Sequence, residues 1–395
     1  MCGRRAQYGQ YGPEEPRAAS GVRPARSRAP PGVSGGRPGA REPIRLARPD
    51  VGDDELAAVG EVVASGQLTM GPKVVELEAA LADAVGTAHA AVVSSGTAAL
   101  HLALLALEIG PGDEVIVPAY TFPATANVVE LCGARAVLAD VDPDTFNVDP
   151  AAVAAAVTPR TRAVMAVHLF GRPAEWEALQ TAVPQEVVLV EDAAGALGAR
   201  YRDVPCGALG VAACLSFHPR KIVTTGEGGA VTTDEAALDS AVRRLRHHGW
   251  QTLGDMSAPG FNYRLPDLLC AIGIPQVARL EDLLRARELV AGWYTERLEN
   301  LFLTPRAAEG DRHGWQAYVV QLDRRDEALA GLRDEGIEAQ IGTWALNRLA
   351  PYLAQGAFPG ADRAFERALA LPFHTRLTEA DVDRVVSALT RYVSE

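Results

Sequence analysis

The sequence has few cysteines and no long apolar segment. Its 395 residues include five cysteines (Cys2, Cys132, Cys206, Cys214 and Cys270), and these form neither a CxxC pair nor another metal-site spacing. This usage favours a reducing compartment, so we expect a cytosolic protein without a metal. No apolar run approaches the roughly eighteen residues of a membrane-spanning helix, and we predict no association with a membrane.

Positive charge is also scarce. The 38 lysines and arginines are outnumbered by 50 acidic residues, which gives a net charge of −12. We therefore expect no general affinity for nucleic acid. Apolar residues, in contrast, make up 48% of the chain, which allows a large packed core and excludes disordered, collagen-like and disulfide-rich classes. The length predicts two domains, or one large domain with a smaller one.

Residues 1–49 differ in composition from the rest. They contain ten arginines against three glutamates, a net charge of +7, and are rich in proline, glycine and serine. Such a segment buries too little apolar surface to offset its ordering entropy, so we predict a disordered tail. An organelle transit peptide is the alternative, but a dispensable tail or a misassigned start codon is favoured because no amphipathic helix is visible.

From Asp53 onwards the pattern is that of an α/β protein. Helical patterns begin at Asp53 and cover 74–85 and 97–107, and short apolar runs over 90–93, 114–117, 135–138, 163–167 and 187–190 predict strands. Alternation of the two is typical of parallel βαβ units. A long helical pattern runs from Pro266 past Leu298. We predict a large α/β domain over 50–300 and a small C-terminal α+β domain over 301–395.

A buried strand ends in two carboxylates, Glu191 and Asp192. The carboxyl ends of parallel strands are where α/β proteins bind ligands, so Asp192 is predicted to face a cofactor cation. The alternative is a charged residue that leaves the sheet for solvent. Downstream, Ser216 precedes Lys221 by five residues, and a GEGG turn leads into a further strand. An acid at a strand end and a downstream lysine are the two contacts that pyridoxal phosphate (PLP) needs: the lysine forms a Schiff base with the aldehyde, and the acid keeps the pyridine nitrogen protonated.

A phosphate-binding turn is expected as well. The segment from Ser94 to Leu100 joins a strand to a helix, where free N–H groups and the positive end of the helix dipole favour an anion. The alternative is an ordinary helix N-cap by Ser95 or Thr97.

Together these segments resemble the DegT/DnrJ/StrS family of PLP-dependent aminotransferases over residues 50–392. The resemblance is carried by the following blocks: 68–72 (LTMGP), 95–100 (SGTAAL), 118–127 (PAYTFPATAN), 168–171 (HLFG), 191–194 (EDAA), 216–221 (SFHPRK), 226–229 (GEGG), 262–264 (NYR) and 371–373 (LPF). It implies a fold-type-I (aspartate aminotransferase-like) structure, with a large, mostly parallel sheet and a small α+β domain. It also implies a homodimer whose interface builds both active sites.

The resemblance also assigns roles to individual residues. Lys221 matches the Schiff-base lysine and proton shuttle, and Asp192 matches the partner of the pyridinium nitrogen. The other matches are as follows: Gly96, Thr97 and Ser216 with the phosphate site, Phe122 with the aromatic ring stacked on the cofactor, Asn262 with the residue that reaches the phosphate from the neighbouring subunit, and Thr69 and Arg264 with segments bordering the substrate. For Phe122, core filling beside Tyr120 is the alternative.

Two positions depart from the family pattern. After EDAA the family usually carries Gln or His, which packs near the ring oxygen of the cofactor, whereas this chain has Gly195. Water or another side chain is expected in that space. At 342–346 the chain has GTWAL where many sugar enzymes have a His-Tyr-Pro-type segment.

The resemblance implies transfer of an amino group, from L-glutamate, to a keto-sugar nucleotide. A cyclitol ketone as acceptor, or a related aminohydroxybenzoate-type synthase, is the alternative within the enzyme class. A PLP-dependent sugar dehydratase is disfavoured. In the family's dehydratases the Schiff-base lysine is replaced by another residue, whereas this chain has Lys221. A non-catalytic PLP-binding regulatory protein is the alternative outside it.

Overall fold

A computed structural model describes residues 42–252 and 254–393 of the protein. The helices in these ranges are α1 (Asp53–Ser65), α2 (Pro72–Val85), α3 (Gly96–Ala106), α4 (Ala124–Leu131), α5 (Pro150–Ala156), α6 (Trp176–Ala182), α7 (Ala236–Arg246), α8 (Asp267–Ala278), α9 (Leu280–Leu298), α10 (Arg325–Asp334), α11 (Pro359–Arg367) and α12 (Glu379–Leu389). The strands are β1 (His89–Val93), β2 (Glu114–Pro118), β3 (Tyr120–Thr121), β4 (Arg135–Ala139), β5 (Thr161–Val167), β6 (Val188–Asp192), β7 (Arg200–Tyr201), β8 (Val204–Pro205), β9 (Ala212–Ser216), β10 (Gly229–Thr233), β11 (Trp250–Thr252), β12 (Asp255–Met256), β13 (Tyr318–Gln321), β14 (Gln340–Ile341), β15 (Trp344–Ala345) and β16 (Ala368–Leu371). Short 3₁₀ turns lie at Leu169–Gly171, Leu346–Arg348, Leu353–Gln355 and Thr390–Tyr392.

Seven strands form one central sheet in the order β1-β10-β9-β6-β5-β2-β4. The strands from β9 to β4 pair in parallel, whereas β10 is antiparallel to both β1 and β9. All five strands predicted from the apolar runs are present, with ends shifted by up to two residues. The predicted parallel βαβ arrangement is therefore confirmed.

Helix α3 is buried because the sheet and other helices surround it. Its residues 98–104 are all buried, and it packs against β9, β10, α4 and α7. A helix that is apolar on every side is typical of such a position. The packing fixes the start of α3 relative to the ends of the strands, which matters for the site described below.

A second sheet, antiparallel and in the order β13-β16-β14, has an apolar core of its own. Its apolar core contains Tyr318 and Leu369 from the strands, Val385 from α12, and Tyr294 from the second half of α9. The second half of α9 therefore contributes to this second core. The division at residue 301 stays a prediction.

The helical pattern predicted from Pro266 past Leu298 is two helices, α8 and α9. Arg279 separates them with φ −109° and ψ 24°, outside the helical region. Pro275 lies in the last turns of α8 and cannot donate a backbone hydrogen bond, which weakens the helix before this point. The Arg279 guanidinium donates to Glu55 at 2.6 Å, so the break is also held by an ion pair with α1.

The predicted disordered tail falls mostly outside the described residues, since the description starts at residue 42. Residues 42–49 pack beside the second core: the N–H of Ile44 donates to the Gly336 carbonyl at 2.9 Å, and the N–H of Glu338 donates to the Ile44 carbonyl at 2.8 Å. Ile44 itself is buried. This part of the expected tail is structured. Among the described residues, no helix has the length and apolarity to cross a membrane.

Candidate active site

The carboxyl edge of the central sheet brings several predicted site residues together. Strand β6 ends at Asp192, and β9 ends at Ser216 and leads into the loop that carries Lys221. Strand β1, which has the same direction as β9, leads through Ser95 into α3. The edge beyond the carboxyl ends of parallel strands is where ligands of α/β proteins bind.

Asp192 is buried at the end of β6, with 5% of its surface exposed. The alternative that it leaves the sheet for solvent is therefore wrong. The Thr125 hydroxyl donates to Oδ2 at 2.8 Å, and the N–H of Ala194 donates to Oδ1 at 3.2 Å. Burial raises the pKa of Asp192, while these hydrogen bonds and the Lys221 charge act in the opposite direction. A carboxylate that is costly to ionise here gains from a bound cation.

The adjacent carboxylate, Glu191, has a different environment. It is fully buried, and its oxygens accept from three backbone N–H groups at 2.6–2.9 Å (Gly207, Leu209 and Gly210). His168 Nε2 lies 2.9 Å from Glu191 Oε2. Because His168 Nδ1 accepts from the N–H of Ala174 at 3.0 Å, the hydrogen-bond network assigns the proton to Nε2, which donates to Glu191. The Glu191 carboxylate thus accepts hydrogen bonds from four donors. Three of them belong to the loop after β8, so Glu191 fixes the position of this loop.

Lys221 lies half-buried in the loop after β9, where its N–H donates to the His218 carbonyl at 2.8 Å. Burial, together with the charges of the Arg220 and Arg287 guanidinium groups, lowers the pKa of Lys221 to about 8 against the opposing effect of Asp192. A substantial fraction of the amine is therefore neutral near pH 8. A neutral amine is the nucleophilic form that attacks a carbonyl.

The start of α3 offers unpaired donors to an anion. Ser95 is the N-cap, with its Oγ accepting from the N–H of Ala98 at 3.0 Å. In the described part of the chain, the N–H groups of Gly96 and Thr97 have no hydrogen-bond acceptor. The capping alternative and the anion site are thus compatible, since Ser95 satisfies Ala98 and leaves the two preceding donors free.

Close approach of the chain at two glycines shapes this turn. A Cβ on Gly96 would lie 2.8 Å from Ser216 Cβ and 3.2 Å from its Oγ, so the Ser216 hydroxyl lies beside the start of α3. A Cβ on Gly229 would lie 2.6 Å from the carbonyl oxygens of Ser95 and Leu215. Glycine at both positions lets the helix start sit against the end of β9, where Ser216 adds a hydroxyl to the free N–H groups.

Phe122 is 62% exposed, whereas Tyr120, two residues before it, is fully buried. The alternative that Phe122 fills the core beside Tyr120 is therefore wrong. Strand β3, which ends at Thr121, pairs with β15, so the segment at 342–346 that departs from the family pattern lies next to Phe122. The exposed ring is free to stack on a ligand.

Three further residues of the prediction lie at the surface rather than in this cluster. Thr69 is exposed and forms a bridge to Pro266, two residues after Arg264. Asn262 is exposed, and its Oδ1 accepts from Arg264 Nε at 2.9 Å. The structure thus brings these three segments together, but no hydrogen bond among the described residues joins them to Lys221 or Asp192.

Two residues of the site were not singled out from the sequence. Thr125 lies within the block 118–127, and its spacing of four from Thr121 was an available signal, since the two hydroxyls are 3.2 Å apart. Arg287 lies on α9 and is buried, with Nη2 donating to the Lys221 carbonyl at 3.2 Å. An arginine on a helix is usually solvated, so only packing shows its position.

The residues present fit pyridoxal phosphate. The group needs an anion site, a carboxylate for its ring nitrogen and an amine for its aldehyde. The unpaired N–H groups at Gly96 and Thr97, the buried Asp192 carboxylate and the Lys221 amine of lowered pKa supply these, all at one sheet edge.

Comparison with known proteins agrees with this geometry. The model of the DegT/DnrJ/EryC1/StrS aminotransferase family matches residues 49–390. The chain is 42% identical over 360 residues to the GDP-perosamine synthase of Caulobacter vibrioides, covering 88% of this chain and 97% of that protein. The structure of DesI in the presence of its TDP-sugar product is 33% identical, with a TM-score of 0.84 and coverage of 90% and 94% of the two chains. Spr1654 of Streptococcus pneumoniae, in its PLP form, is 28% identical, with a TM-score of 0.85 and coverage of 89% and 100%.

These matches confirm the predicted fold-type-I architecture of PLP-dependent transferases, with its large, mostly parallel sheet. They also confirm the predicted enzyme class, a PLP-dependent aminotransferase. The chain belongs to the DegT/DnrJ/EryC1/StrS aminotransferase family.

Proposed function

We propose that this aminotransferase moves an amino group from L-glutamate to the ketone of a nucleotide sugar, with pyridoxal phosphate as its cofactor. The observation that carries the chemistry is the Lys221 amine of lowered pKa at the same sheet edge as the buried Asp192. The nucleotide-sugar acceptor is supported by the relatives, of which one is a GDP-perosamine synthase and another was solved with a TDP-sugar product.

When bound, pyridoxal phosphate supplies an aldehyde that condenses with amines and a pyridinium ring that absorbs electrons. The Asp192 carboxylate would accept a hydrogen bond from the protonated ring nitrogen, and its burial makes this cation the best available partner. The N–H groups of Gly96 and Thr97 and the Ser216 hydroxyl would bind the phosphate. The exposed Phe122 ring would cover one face of the pyridine.

Lys221 would act as the proton carrier. Its Nζ, once neutral, would accept the proton from the α-carbon of the amino donor and give it to the aldehyde carbon of the cofactor. In the reaction with the ketone it would carry a proton in the reverse direction, from that carbon to the carbonyl carbon of the acceptor. A pKa of about 8 matches this task, because both the free and the protonated amine are populated near neutral pH. Asp192 would hold the protonated ring nitrogen in place throughout the reaction. Its carboxylate would act as a preorganised electrostatic group.

We also propose a homodimer with shared active sites. Asn262 is exposed and Arg264 is half-buried beside it, consistent with side chains that reach the site of a second subunit. Mixing Lys221→Ala subunits with Asn262→Ala subunits tests this. Two inactive homodimers that regain activity on subunit exchange, through hybrids with one intact site, support sharing, whereas a mixture that stays inactive contradicts it.

The substrate proposal is tested by following the amino nitrogen. The enzyme is loaded with ¹⁵N-glutamate, cleared of free donor, and offered 3-keto and 4-keto nucleotide sugars beside a cyclitol ketone. We expect ¹⁵N in an amino sugar nucleotide and none in the cyclitol. Lys221→Ala should abolish the transfer, and Lys73→Arg, which changes the other lysine of the chain, should not. Transfer to the cyclitol alone would contradict the sugar assignment.

A further inference from the structure

Gly195 lies three residues after Asp192, beside a space that a distant side chain fills. A Cβ on Gly195 would lie 3.3 Å from Gln316 Cγ and 3.4 Å from its Oε1. Gly195 is not among the glycines with positive φ, so its backbone conformation permits a side chain. The Gln316 side chain, rather than the backbone, is therefore what occupies the place next to Gly195.

Gln316 is tied to the loop that carries Lys221. Its N–H donates to the Phe170 carbonyl at 3.1 Å, and its carbonyl accepts from Arg287 Nη1 at 3.1 Å. The same guanidinium donates through Nη2 to the Lys221 carbonyl at 3.2 Å. Gln316 Nε2 lies 3.5 Å from the carbonyl oxygen of Arg220, the residue before Lys221. The amide thus lies beside the backbone of the loop that carries Lys221.

The backbone around Gln316 adopts unusual conformations. Trp315 has φ 47° and Phe170 has φ 58°, both in the left-handed region that side chains other than glycine rarely adopt. Such conformations persist where the surroundings hold them, and they cluster at ligand sites. Two of them on either side of the Gln316–Phe170 hydrogen bond indicate that the position of this residue is imposed by the fold.

The sheet order places Gln316 and the phosphate-binding turn on opposite sides of Asp192. Strand β6, which ends at Asp192, lies between β9 and β5. Ser216 and Gly96 lie on the β9 side. Phe170, which accepts from Gln316, lies in the 3₁₀ turn that follows β5. Gln316 therefore lies on the β5 side.

The covalent structure of pyridoxal phosphate indicates which of its atoms would lie near Gln316. Its aldehyde lies across the ring from the nitrogen, and its phosphate arm and its C3 hydroxyl flank the aldehyde on opposite edges. With the nitrogen held at Asp192, the aldehyde at Lys221 and the phosphate at Gly96, the C3 oxygen would face the β5 side. We propose that the Gln316 side-chain amide donates a hydrogen bond to the C3 oxygen of the cofactor, a contact that Gly195 cannot make.

This inference rests on the proposed function and makes a spectroscopic prediction. The visible absorbance of the bound cofactor reports the proton shared between Lys221 Nζ and the C3 oxygen. An amide that donates to this oxygen lowers its affinity for the proton, so loss of the donor moves the midpoint of the pH titration upwards. A hydrogen bond to a charged oxygen corresponds to a shift of about one pH unit and to a roughly tenfold change in cofactor affinity.

The experiment titrates the absorbance of the PLP-loaded protein and measures the dissociation constant of PLP. Gln316→Ala should raise the midpoint of the titration by about one pH unit and increase the dissociation constant of PLP about tenfold. Gln316→Glu keeps the side-chain size but brings an acceptor, so the midpoint should rise at least as much. Gln316→Ala combined with Gly195→Gln restores an amide to the vacated space and should bring the midpoint back. Gln340→Ala, which removes an amide that contacts the Arg220 side chain instead, is the control and should titrate like the unmodified protein.

Two results separate this inference from the proposed function. If the unmodified protein binds PLP, forms the adduct on Lys221 and titrates, but Gln316→Ala and Gln316→Glu titrate at the same midpoint, the Gln316 assignment is wrong and the function stands. If the unmodified protein shows no visible band with PLP, the proposed function itself is wrong, and the Gln316 assignment is overturned with it. Circular dichroism of each variant establishes that it is folded.

Discussion

Glu191 and Asp192 are adjacent acids at the end of one strand, and they have opposite environments. Glu191 accepts from three backbone N–H groups and from His168, and it is fully buried. Asp192 accepts from Thr125 and Ala194, and burial raises its pKa. Alternation of side chains along a strand sends the two carboxylates to different sides of the sheet.

The difference distinguishes an acid that holds the fold from one that is available to a ligand. A buried carboxylate with a full set of donors gains nothing from a further cation, and its loss leaves several N–H groups unpaired. A buried carboxylate with few donors beside a lysine is poised to bind a cationic group. Burial alone does not separate the two cases, whereas the count of donors does.

The largest expected effect is on the activity of Asp192→Asn. The amide keeps the size of the side chain but cannot offset the charge of the ring nitrogen, so kcat/KM should fall roughly 10³-fold. The midpoint of urea unfolding should change less than in Glu191→Gln, since the amide oxygen keeps the Thr125 contact and only the Ala194 N–H loses its acceptor. Steady-state kinetics with a nucleotide keto-sugar and a urea titration check this. A loss of activity below tenfold would contradict the role of Asp192.

Glu191→Gln should show the reverse pattern. Because the amide nitrogen would face backbone donors in a buried place, the free energy of unfolding should fall by about 3 kcal/mol. The kcat of the folded fraction at low temperature should stay within about tenfold. Urea unfolding followed by circular dichroism, with kinetics on the same sample, gives both numbers. Lost activity at unchanged stability would remove the contrast between the two acids.

Gly96→Ala should weaken the binding of the cofactor. The new Cβ would press on Ser216 Cβ at 2.8 Å, and overpacking of this size corresponds to a roughly tenfold increase in the dissociation constant of PLP. Gly60→Ala in α1 is the matched control, because a Cβ there meets nothing within 4 Å. Fluorescence titration with PLP measures both variants, and equal affinities would exclude a phosphate site at α3.

The smallest expected effect is a shift in the pH dependence of PLP capture. The protonated Lys221 amine does not attack an aldehyde, so the capture rate should rise with pH through a midpoint near 8. In Asp192→Asn the carboxylate that raises the pKa of Lys221 is gone, and the midpoint should move to lower pH. Stopped-flow absorbance measures it, and a rate still rising at pH 10 in the unmodified protein would contradict burial of the amine.

The sequence predicts the parallel strands and the residues at their ends because both signals are local. An apolar run ending in Glu191 and Asp192 places an acid at the carboxyl edge whatever the rest of the chain does. The same locality explains the Ser95 turn. It also explains the difference over 266–298: the apolar spacing continues through Arg279, although Pro275 weakens the helix locally and the ion pair with Glu55 holds the break.

The rest of the site depends on contacts between distant segments. Arg287 and Gln316 lie 66 and 95 residues after Lys221, and nothing in the sequence around either residue indicates that it approaches the Lys221 loop. The different environments of Glu191 and Asp192 could not be predicted for the same reason. The N–H groups that donate to Glu191 belong to the backbone around residue 208, which is distant in sequence. The sequence likewise does not show which of the two aromatic residues is exposed. Only the packing shows that Tyr120 is buried and Phe122 is exposed.

Reduction of the PLP-loaded protein with borohydride, followed by peptide mass spectrometry, tests the central claim most directly. The chain contains only two lysines, Lys73 and Lys221, and the pKa of Lys73 is raised by its hydrogen bond to Glu76. We predict one pyridoxyl phosphate adduct, on the peptide that contains Lys221, and its absence from Lys221→Arg but not from Lys73→Arg. No adduct, or an adduct on Lys73, would contradict the account.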